Sequence, residues 1–558
     1  MLALSAMVGL LGQPAVPGGV LRAQATLASA ALTAPQWQAD LDFMMANLAR
    51  VHKNLYHTTS KATFDSAATA LSAQIPRMSR DEIIMGMMRI VALAGDGHTN
   101  IYPTRDRAIG FHSLPIAMYF FKDGLYIRAA ETSDANLVGA RVLKIGSATA
   151  QQAYERVTPY IGRDNAMDAL FFAPQLLAMP EVLHALGLSA SADSAQFEVE
   201  SGGSRRSVWL RADQLVAPRP GDTDNSWRPR KGWVDARDAA TAPTPLWLRE
   251  PPDTVLWWFT QVPGQRAGYV QINQIRDGDS ATLEQFSDCL TTFIDTARID
   301  RLVIDLRLNR GGNGELRLPL VRSLLRTPKI NTEGKLFVLM GRATFSAAQF
   351  LLDDLQKYSM ALFVGEPSGS KGNTYGDSRQ IQLPNSGITV RASVYYWQDW
   401  SPFVTRQWTA PDIAAEMTFA DYRANKDPAL DAALSHVEVK SLTAQLREAM
   451  QINDTAAAQA RFRSYMADPQ HVYVDGLAVL DDVGSYFYNR KEYLRSASIF
   501  ALAETEYPTI LDTHLDAAAL YHQINRPDFE RASLRRALRI APGNAQALKR
   551  LSELDGHM

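Results

Sequence analysis

The sequence predicts a multidomain α/β protein with a helical N-terminal domain, a small β-rich domain, a layered α/β domain and C-terminal helices. The length of 558 residues is too great for one hydrophobic core. Apolar residues follow a helical period before about residue 95, a period of two from about 113 to 215, and a helical period again after about 441. Between about 254 and 434, short apolar runs alternate with amphipathic helices, which is typical of a layered α/β domain.

The composition is that of an ordinary globular protein and narrows the class of partner. Hydrophobic residues make up 46% of the chain and charged residues 21%. The net charge of −2 creates no field that would favour nucleic acid or an anionic membrane, so we predict no nucleic-acid partner. The single cysteine, Cys289, allows no disulfide within the chain and no cysteine cluster that could hold a metal. Its neighbours at helical spacing are apolar, so we predict that it lies in a core.

Residues 1–33 are predicted to form a signal peptide or leader. Met1–Leu11 are mostly apolar, small residues follow, and Arg22–Ala25 resemble a cleavage site. This pattern predicts export to the periplasm or the extracellular space. The stretch lacks the charged N-terminal region of a typical signal peptide. A disordered leader, or a start residue that is wrongly assigned, therefore remains an alternative. No other stretch is apolar for long enough to span a bilayer, so we expect no integral membrane segment after signal removal.

Residues 34–112 are predicted to form a helical N-terminal domain that ends in a glycine-rich turn. A capping box at Ser79–Glu82 marks the start of one helix. The sequence GDGHT follows that helix at Gly95–Thr99. Two glycines around an aspartate make a sharp turn that would project His98 from the end of a rigid helix. Histidine titrates near neutral pH and can serve as a base, although a single histidine in a turn is also common on a protein surface.

Residues 113–215 are predicted to form the small β-rich domain, and a proline-rich stretch follows it. Apolar and polar residues alternate, and Asp123-Gly124 and Gly202-Gly203 have the composition of hairpin turns. An extended chain could add to an edge of such a sheet, but no residue here specifies a ligand. Residues 216–253 are rich in proline and show no apolar period, so they are predicted to be a linker or a long surface excursion.

Residues 254–436 are predicted to form the α/β domain, and Ser346 stands at its most distinctive position. The apolar run Leu336–Met340 has the pattern of a buried strand, and helical spacing begins just after Ser346. The N–H groups of a helix start would surround the Ser346 hydroxyl, and the N–H of Ala347 could donate to an oxyanion beside it. A serine at this place is also a common helix cap, so the local pattern leaves both roles open.

A glycine pair supplies the third part of a candidate site. Gly311-Gly312 follow a second apolar strand, Arg301–Arg307, where a substrate could approach the backbone N–H groups without obstruction. Acyl transfer needs a nucleophile, a base and donors for the oxyanion. Ser346, His98 and the glycine pair provide these three kinds of part.

Residues 437–558 are predicted to form helical repeats. Five positions recur 34 residues later in the same residue classes: Phe487, Ser496, Phe500, Ala503 and Pro508 return as Tyr521, Glu530, Leu534, Ala537 and Pro542. This period and these residue classes resemble tetratricopeptide repeats. The repeats could hold a protein partner in a groove, or they could brace the α/β domain.

Three motifs in the α/β domain together resemble the tail-specific (C-terminal-processing) serine protease family. They read DLRLNRGG at 305–312, TFSAA at 344–348 and GEPSG at 365–369. The GDGHT turn is similar to that of the tricorn-like and retinoid-binding-protein-like branch of the family, and Pro411-Asp412-Ile413 match the end of its catalytic domain. The resemblance covers the helical N-terminal domain and most of residues 254–434. Residues 113–215 are similar in position to the PDZ-like domain of the family.

The resemblance implies a role for each part of the candidate site. Ser346 would be the nucleophile, and the N–H groups of Ala347 and of Gly311 or Gly312 would form the oxyanion hole. In the tricorn-like branch the base is the histidine that matches His98.

The tail-specific branch uses a lysine as base, and Lys371 lies 25 positions after Ser346, which is the usual spacing. A lysine base needs a pKa far below its ordinary value, which requires burial, and Lys371 lies in the polar sequence SKGN. A histidine needs no such shift. We therefore favour His98 and keep Lys371 as the alternative base.

This chain departs from the tricorn-like branch at the acidic residue that orients the histidine. That branch has a glutamate shortly before the closing Pro-Asp, where this chain has Thr405. The candidate replacements are Asp399, Asp377 and Asp96, although most surface aspartates only cap turns.

The sequence thus predicts a serine-type peptidase that cleaves peptides or protein tails through an acyl-enzyme on Ser346, with no cofactor and no metal. Two alternatives remain at this point. A binding or scaffold protein could keep the fold without useful catalysis, which the missing glutamate and the helical repeats favour. The same nucleophile could also act on an ester or a lactone.

Overall fold

The computed structural model describes residues 32–212, 214–215, 227, 230–252, 254–437 and 440–556. The predicted leader, apart from its last two residues, lies outside the described residues, and so does most of the first half of the proline-rich stretch. The described chain confirms the predicted multidomain α/β class: helices come first, antiparallel strands follow, an α/β layer comes next and helices end the chain.

Three helices open the described chain: α1 (Ala34–Val51), α2 (Lys61–Gln74) and α3 (Arg80–Ala92). The Ser79 hydroxyl accepts a hydrogen bond from the N–H of Glu82, and the Glu82 carboxylate accepts one from the N–H of Ser79. These two bonds complete the predicted capping box. Leu48, Phe64 and Met87 are buried between the helices. The GDGHT turn therefore follows directly from a packed helical unit.

An antiparallel sheet follows the three helices. The elements of this part of the chain, in order, are β1 (His112–Ser113), β2 (Ile116–Phe121), β3 (Gly124–Glu131), β4 (Arg141–Ile145), β5 (Ala148–Thr149), α4 (Ala150–Val157), α5 (Ala166–Leu176), α6 (Pro180–Ala185), β6 (Ser194–Ser201), β7 (Ser204–Arg211), β8 (Gln214–Leu215) and β9 (Trp233–Asp235). The main strand order is β2-β3-β4-β6-β7, with β9 paired to β3 and β1 paired to β8 in a separate ribbon.

The second half of the stretch predicted as a linker is structured instead. β9 extends the sheet, and Trp247 on the short helix α7 (Leu246–Arg249) is buried. A three-residue strand and a single helical turn are too short to show a hydrophobic period, so the pattern did not reveal them.

The α/β layer is built on a six-stranded sheet. The elements of this part of the chain, in order, are β10 (Trp257–Gln261), β11 (Ala267–Ile272), α8 (Leu283–Thr296), β12 (Arg301–Asp305), α9 (Leu318–Leu325), β13 (Leu336–Met340), α10 (Ala347–Tyr358), β14 (Leu362–Gly365), β15 (Asn373–Gln382), β16 (Thr389–Gln398) and β17 (Ile413–Ala414). Of these, β15 and β16 form a separate hairpin. The order is β10-β11-β12-β13-β14-β17, and every neighbouring pair except β10 and β11 is parallel. Parallel strands end at the same edge of a sheet, so the loops after β12 and β13 lie side by side.

Helix α8 corrects the prediction for Cys289. The helix buries the stripe of Leu283, Phe286, Leu290 and Ile294, whereas Cys289 is exposed. Cys289 lies one position away from that stripe, which turns its side chain toward solvent.

The hairpin of β15 and β16 ties the N-terminal helices to the α/β layer. At its turn, the N–H groups of Asn385 and Ser386 donate to the Asp40 carboxylate of α1, at 2.9 and 2.8 Å. Further along, Asn100 and Arg391 exchange two backbone hydrogen bonds. The GDGHT turn is thereby held beside the hairpin.

The described chain ends in helices. They are α11 (Phe419–Arg423), α12 (Pro428–Ser435), α13 (Leu442–Gln451), α14 (Thr455–Met466), α15 (Gly476–Asn489), α16 (Tyr493–Glu506), α17 (Leu511–Gln523), α18 (Pro527–Ile540) and α19 (Ala545–Gly556). Consecutive helices from α15 to α19 pack on one another. Tyr473, just before α15, donates a hydrogen bond to Glu416 beside β17 and so joins these helices to the α/β layer. Their identity as tetratricopeptide repeats, and any partner on them, stay predictions.

Candidate active site

Ser346 lies at a sharp turn between β13 and α10, as the pattern predicts. Its φ of 56° and ψ of −125° are unusual for a residue other than glycine. Its hydroxyl makes no capping hydrogen bond to the helix, so the geometry does not support the alternative role of a plain helix cap. Ser346 is partly exposed, whereas Phe345 and Ala347 on either side are buried. A strained strand-to-helix turn of this kind can present a serine hydroxyl to a substrate.

Two buried carboxylates hold the turn that carries His98. Asp96 accepts a hydrogen bond of 3.0 Å from the N–H of His98, and its other oxygen lies 2.9 Å from Nε2 of the buried His52. Asp164, which lies just before α5, accepts a hydrogen bond of 2.8 Å from the N–H of Gly97. The backbone of the turn is therefore fixed from both the helical and the β-rich side.

His98 and Ser346 meet although 248 positions separate them in the sequence. The Nε2 atom of His98 lies 3.0 Å from Oγ of Ser346, which is hydrogen-bond distance. The Phe345 ring stacks on the imidazole, with centroids 4.6 Å apart and planes inclined by 30°. The Arg310 guanidinium lies 4.5 Å from the centroid of the Phe345 ring. The stacking fixes the plane of the imidazole in addition to the backbone bonds of its turn.

Burial lowers the pKa of His98 below the ordinary 6.5, even though the charges of Asp164 and Asp96 oppose that shift. The imidazole is therefore neutral near pH 7, as a general base must be. When Nε2 accepts the proton of serine, Nδ1 carries a hydrogen. The Nδ1 atom is buried and has no hydrogen-bond partner in the part of the chain that the structure describes.

The glycine pair lies directly against Ser346, but its two N–H groups differ. The N–H of Gly311 donates to Oδ1 of Asn309 at 2.8 Å and is therefore occupied. The Gly311 carbonyl and the Asn313 N–H both bond to Ile275, so the N–H between them, that of Gly312, points to the opposite side.

Gly312 and Ala347 are the oxyanion donors that this geometry favours. Within the described residues, neither of their N–H groups donates to a protein acceptor. Of the two glycines predicted as alternatives, Gly312 is therefore the better candidate, and Gly311 acts as the spacer between it and Ser346.

Replacing Gly311 by alanine is expected to slow reactions at Ser346 by about a hundredfold, since small misplacements of reacting groups have effects of that size. A Cβ atom at Gly311 would lie 2.8 Å from Cβ of Ser346 and 3.0 Å from the Ala347 nitrogen. The rate of labelling by a fluorophosphonate measures the effect. Gly203→Ala is the matched control, because Gly203 also has a positive φ, of 79°, but no atom lies within 4 Å of its absent Cβ. Equal labelling by both variants would contradict the placement of Gly311.

Two predicted site residues make no hydrogen bond to Ser346 or His98 within the described residues. The backbone N–H of Lys371 donates to Asp164, and within the described residues its ammonium group makes no hydrogen bond to Ser346. The Asp399 carboxylate lies 2.5 Å from Nζ of Lys357 and 3.9 Å from Arg317. In this structure Asp399 is thus the counter-ion of two cations, and the structure gives its predicted orienting role no support.

Several residues of the site carry no sequence signal of their own. Asp168 of α5 lies 3.1 Å from Arg310, and burial raises the pKa of Asp168 to about 7 although Arg310 opposes the shift. Asp164 and His52 likewise lie outside every motif. Arg310 falls within DLRLNRGG, and that position is the one clue the sequence offers. These residues support the GDGHT turn and the loop after β12.

A comparison with family sequence models points to a peptidase. Residues 321–415, which include Ser346, match the sequence model of Peptidase family S41. This match confirms the resemblance to the tail-specific serine proteases. The matched segment is thus similar to a peptidase family of the serine type. A search of curated proteins found no match.

Several solved structures of proteases are similar to this chain at low identity. Mature CPAF is 15% identical, with a TM-score of 0.50 over 72% of this chain and 96% of that one. The photosystem II D1 C-terminal processing protease is 13% identical, with a TM-score of 0.32 over 71% and 98% of the two chains. The tricorn protease is also 13% identical, with a TM-score of 0.31 over 72% and 36%. In the described part of the chain, no helix is both long and apolar enough to cross a membrane.

Proposed function

We propose that this protein is a serine peptidase that cleaves peptides or protein tails through an acyl-enzyme on Ser346, with His98 as the general base. The observation that carries the proposal is the 3.0 Å contact between Nε2 of His98 and Oγ of Ser346 at a strained strand-to-helix turn. The family match over residues 321–415 supports the class of reaction.

Acylation follows from the placement of these groups. As Oγ of Ser346 attacks the carbonyl carbon of the substrate, Nε2 of His98 takes the hydroxyl proton. The carbonyl oxygen becomes an anion and receives hydrogen bonds from the N–H groups of Gly312 and Ala347, each worth about 3 kcal/mol in such sites. His98 then gives its proton to the leaving amine nitrogen, the C–N bond breaks and the acyl group stays on Ser346.

Deacylation repeats the same steps with water. His98 takes a proton from the water molecule that attacks the ester carbon, and the same two N–H groups hold the second anionic intermediate. The proton then returns to Oγ of Ser346 as the C–O bond breaks.

The proposal is tested by labelling the wild-type protein with a fluorophosphonate and measuring its intact mass. We expect one adduct per chain, located by peptide mapping at Ser346, together with hydrolysis of members of a peptide library. A protein that is never labelled and hydrolyses neither peptides nor esters is better described as a binding or scaffold protein. Labelling with ester or lactone turnover, but no peptide turnover, points to an esterase that uses the same nucleophile.

A further inference from the structure

The reactive form of His98 needs a hydrogen-bond acceptor at Nδ1. A buried N–H group without an acceptor destabilises the state that contains it. The need increases during acylation because the imidazole then becomes positively charged, and a buried charge requires a partner. Nδ1 of His98 is buried and unpartnered in the described part of the chain. A nearby carboxylate that can move to it would therefore accelerate the reaction.

Three carboxylates act electrostatically on His98, those of Asp164, Asp96 and Asp377. Asp96 is buried and accepts four hydrogen bonds, from Nε2 of His52, the Ser393 hydroxyl and two N–H groups of its own turn. Asp164 is also buried and accepts four, two of them from hydroxyl groups. Neither can turn toward Nδ1 without breaking these bonds.

Asp377 on β15 is different because it is exposed and its carboxylate accepts few hydrogen bonds. Its Oδ2 accepts one hydrogen bond, of 2.9 Å, from Nε1 of Trp397 on β16. Its φ of 52° is left-handed, although the residue lies inside a strand. Non-glycine residues in this conformation store strain, and such strain clusters at functional positions.

The neighbouring glycine, Gly376, lies against both the imidazole of His98 and the indole that holds Asp377. A Cβ atom at Gly376 would lie 3.6 Å from Cε1 of His98, the carbon between the two ring nitrogens. The same point lies 3.4 Å from Nε1 of Trp397, the atom that holds Asp377. The space left open by the absent side chain of Gly376 therefore borders both the ring edge of His98 and the indole nitrogen that holds the Asp377 carboxylate.

We propose that Asp377 is the positioning residue of His98, and that its carboxylate leaves Trp397 to accept the hydrogen bond of Nδ1–H. This contact would fix the tautomer in which Nε2 is the base and would stabilise the imidazolium that forms. The inference rests on the proposed chemistry of Ser346 and His98. It gives Asp377 the role that the missing glutamate holds in the tricorn-like branch.

The test compares Asp377→Asn, Asp377→Glu and Trp397→Phe, each checked first for an unchanged melting temperature. Asp300→Asn is the charge-matched control, because Asp300 is an exposed carboxylate bound to Arg266. We expect Asp377→Asn to slow fluorophosphonate labelling of Ser346 at least about tenfold, with partial recovery in Asp377→Glu. We expect Trp397→Phe, which frees the carboxylate, to be labelled at least as fast as the wild type.

The outcomes separate a positioning role from a structural one. If the bond between Asp377 and Trp397 only braces the hairpin, Asp377→Asn and Trp397→Phe will slow labelling equally, and the proposal is overturned. An NMR titration of His98 gives a second readout that needs no activity. Loss of the Asp377 charge should lower the pKa of His98, and an unchanged pKa in Asp377→Asn also overturns the proposal. Failure of the wild type to be labelled at all would instead refute the proposed function and leave this titration as the test.

Discussion

Ser346→Ala is expected to abolish fluorophosphonate labelling and to lower peptide hydrolysis by about 10⁴-fold or more, since no other group would form the acyl-enzyme. The change removes one oxygen atom, and alanine can remain in the turn without a new steric contact. The fold should therefore be preserved, which a thermal melt verifies. Intact mass after labelling and peptide turnover measure the effect.

A matched serine on the same helix gives the control. The Ser359 hydroxyl, at the other end of α10, donates a hydrogen bond of 2.6 Å to the Leu355 carbonyl. Ser359→Ala should be labelled at the wild-type rate. Undiminished labelling of Ser346→Ala, with the adduct on another residue, would refute Ser346 as the nucleophile.

His98→Ala is expected to slow labelling by about 10²- to 10⁴-fold, which is the usual contribution of a general base. The pH profile should change as well. Burial lowers the pKa of His98 from 6.5, so the neutral base persists to lower pH than for an exposed histidine. In the wild type, labelling should rise with pH through a midpoint below 6.5 and then level off. In His98→Ala this step should disappear.

Lys371→Ala tests the alternative base in the same experiment. The Lys371 ammonium makes no hydrogen bond to Ser346 within the described residues, so the variant should keep the rate and the midpoint of the wild type. A loss confined to Lys371→Ala, with His98→Ala unaffected, would reverse the choice of base.

The sequence predicts the parts of the site that are encoded locally. Ser346 could be placed because an apolar strand and an amphipathic helix meet at it, and both signals lie within a few residues. His98 could be placed on a turn because two glycines surround an aspartate after a capped helix. The fold class could likewise be predicted from changes in the hydrophobic period along the chain.

The remaining features depend on distances that a sequence does not contain. The sequence could not show that Lys357, on the helix that follows Ser346, binds the Asp399 carboxylate. The choice between Gly311 and Gly312 as oxyanion donor depends on Asn309. Its side-chain oxygen accepts the N–H of Gly311, and the N–H of Gly312 is left available. Asp164 reaches the GDGHT turn from a different part of the chain. Each of these contacts joins segments with no shared period or motif.

The most direct test of the central claim is an NMR titration of His98, with the signal identified by its loss in His98→Ala. If His98 is the base, its pKa should lie below 6.5 and should coincide with the kinetic midpoint of Ser346 labelling in the wild type. A labelling rate that follows a distinctly more alkaline ionisation, while the imidazole titrates elsewhere, would contradict the account.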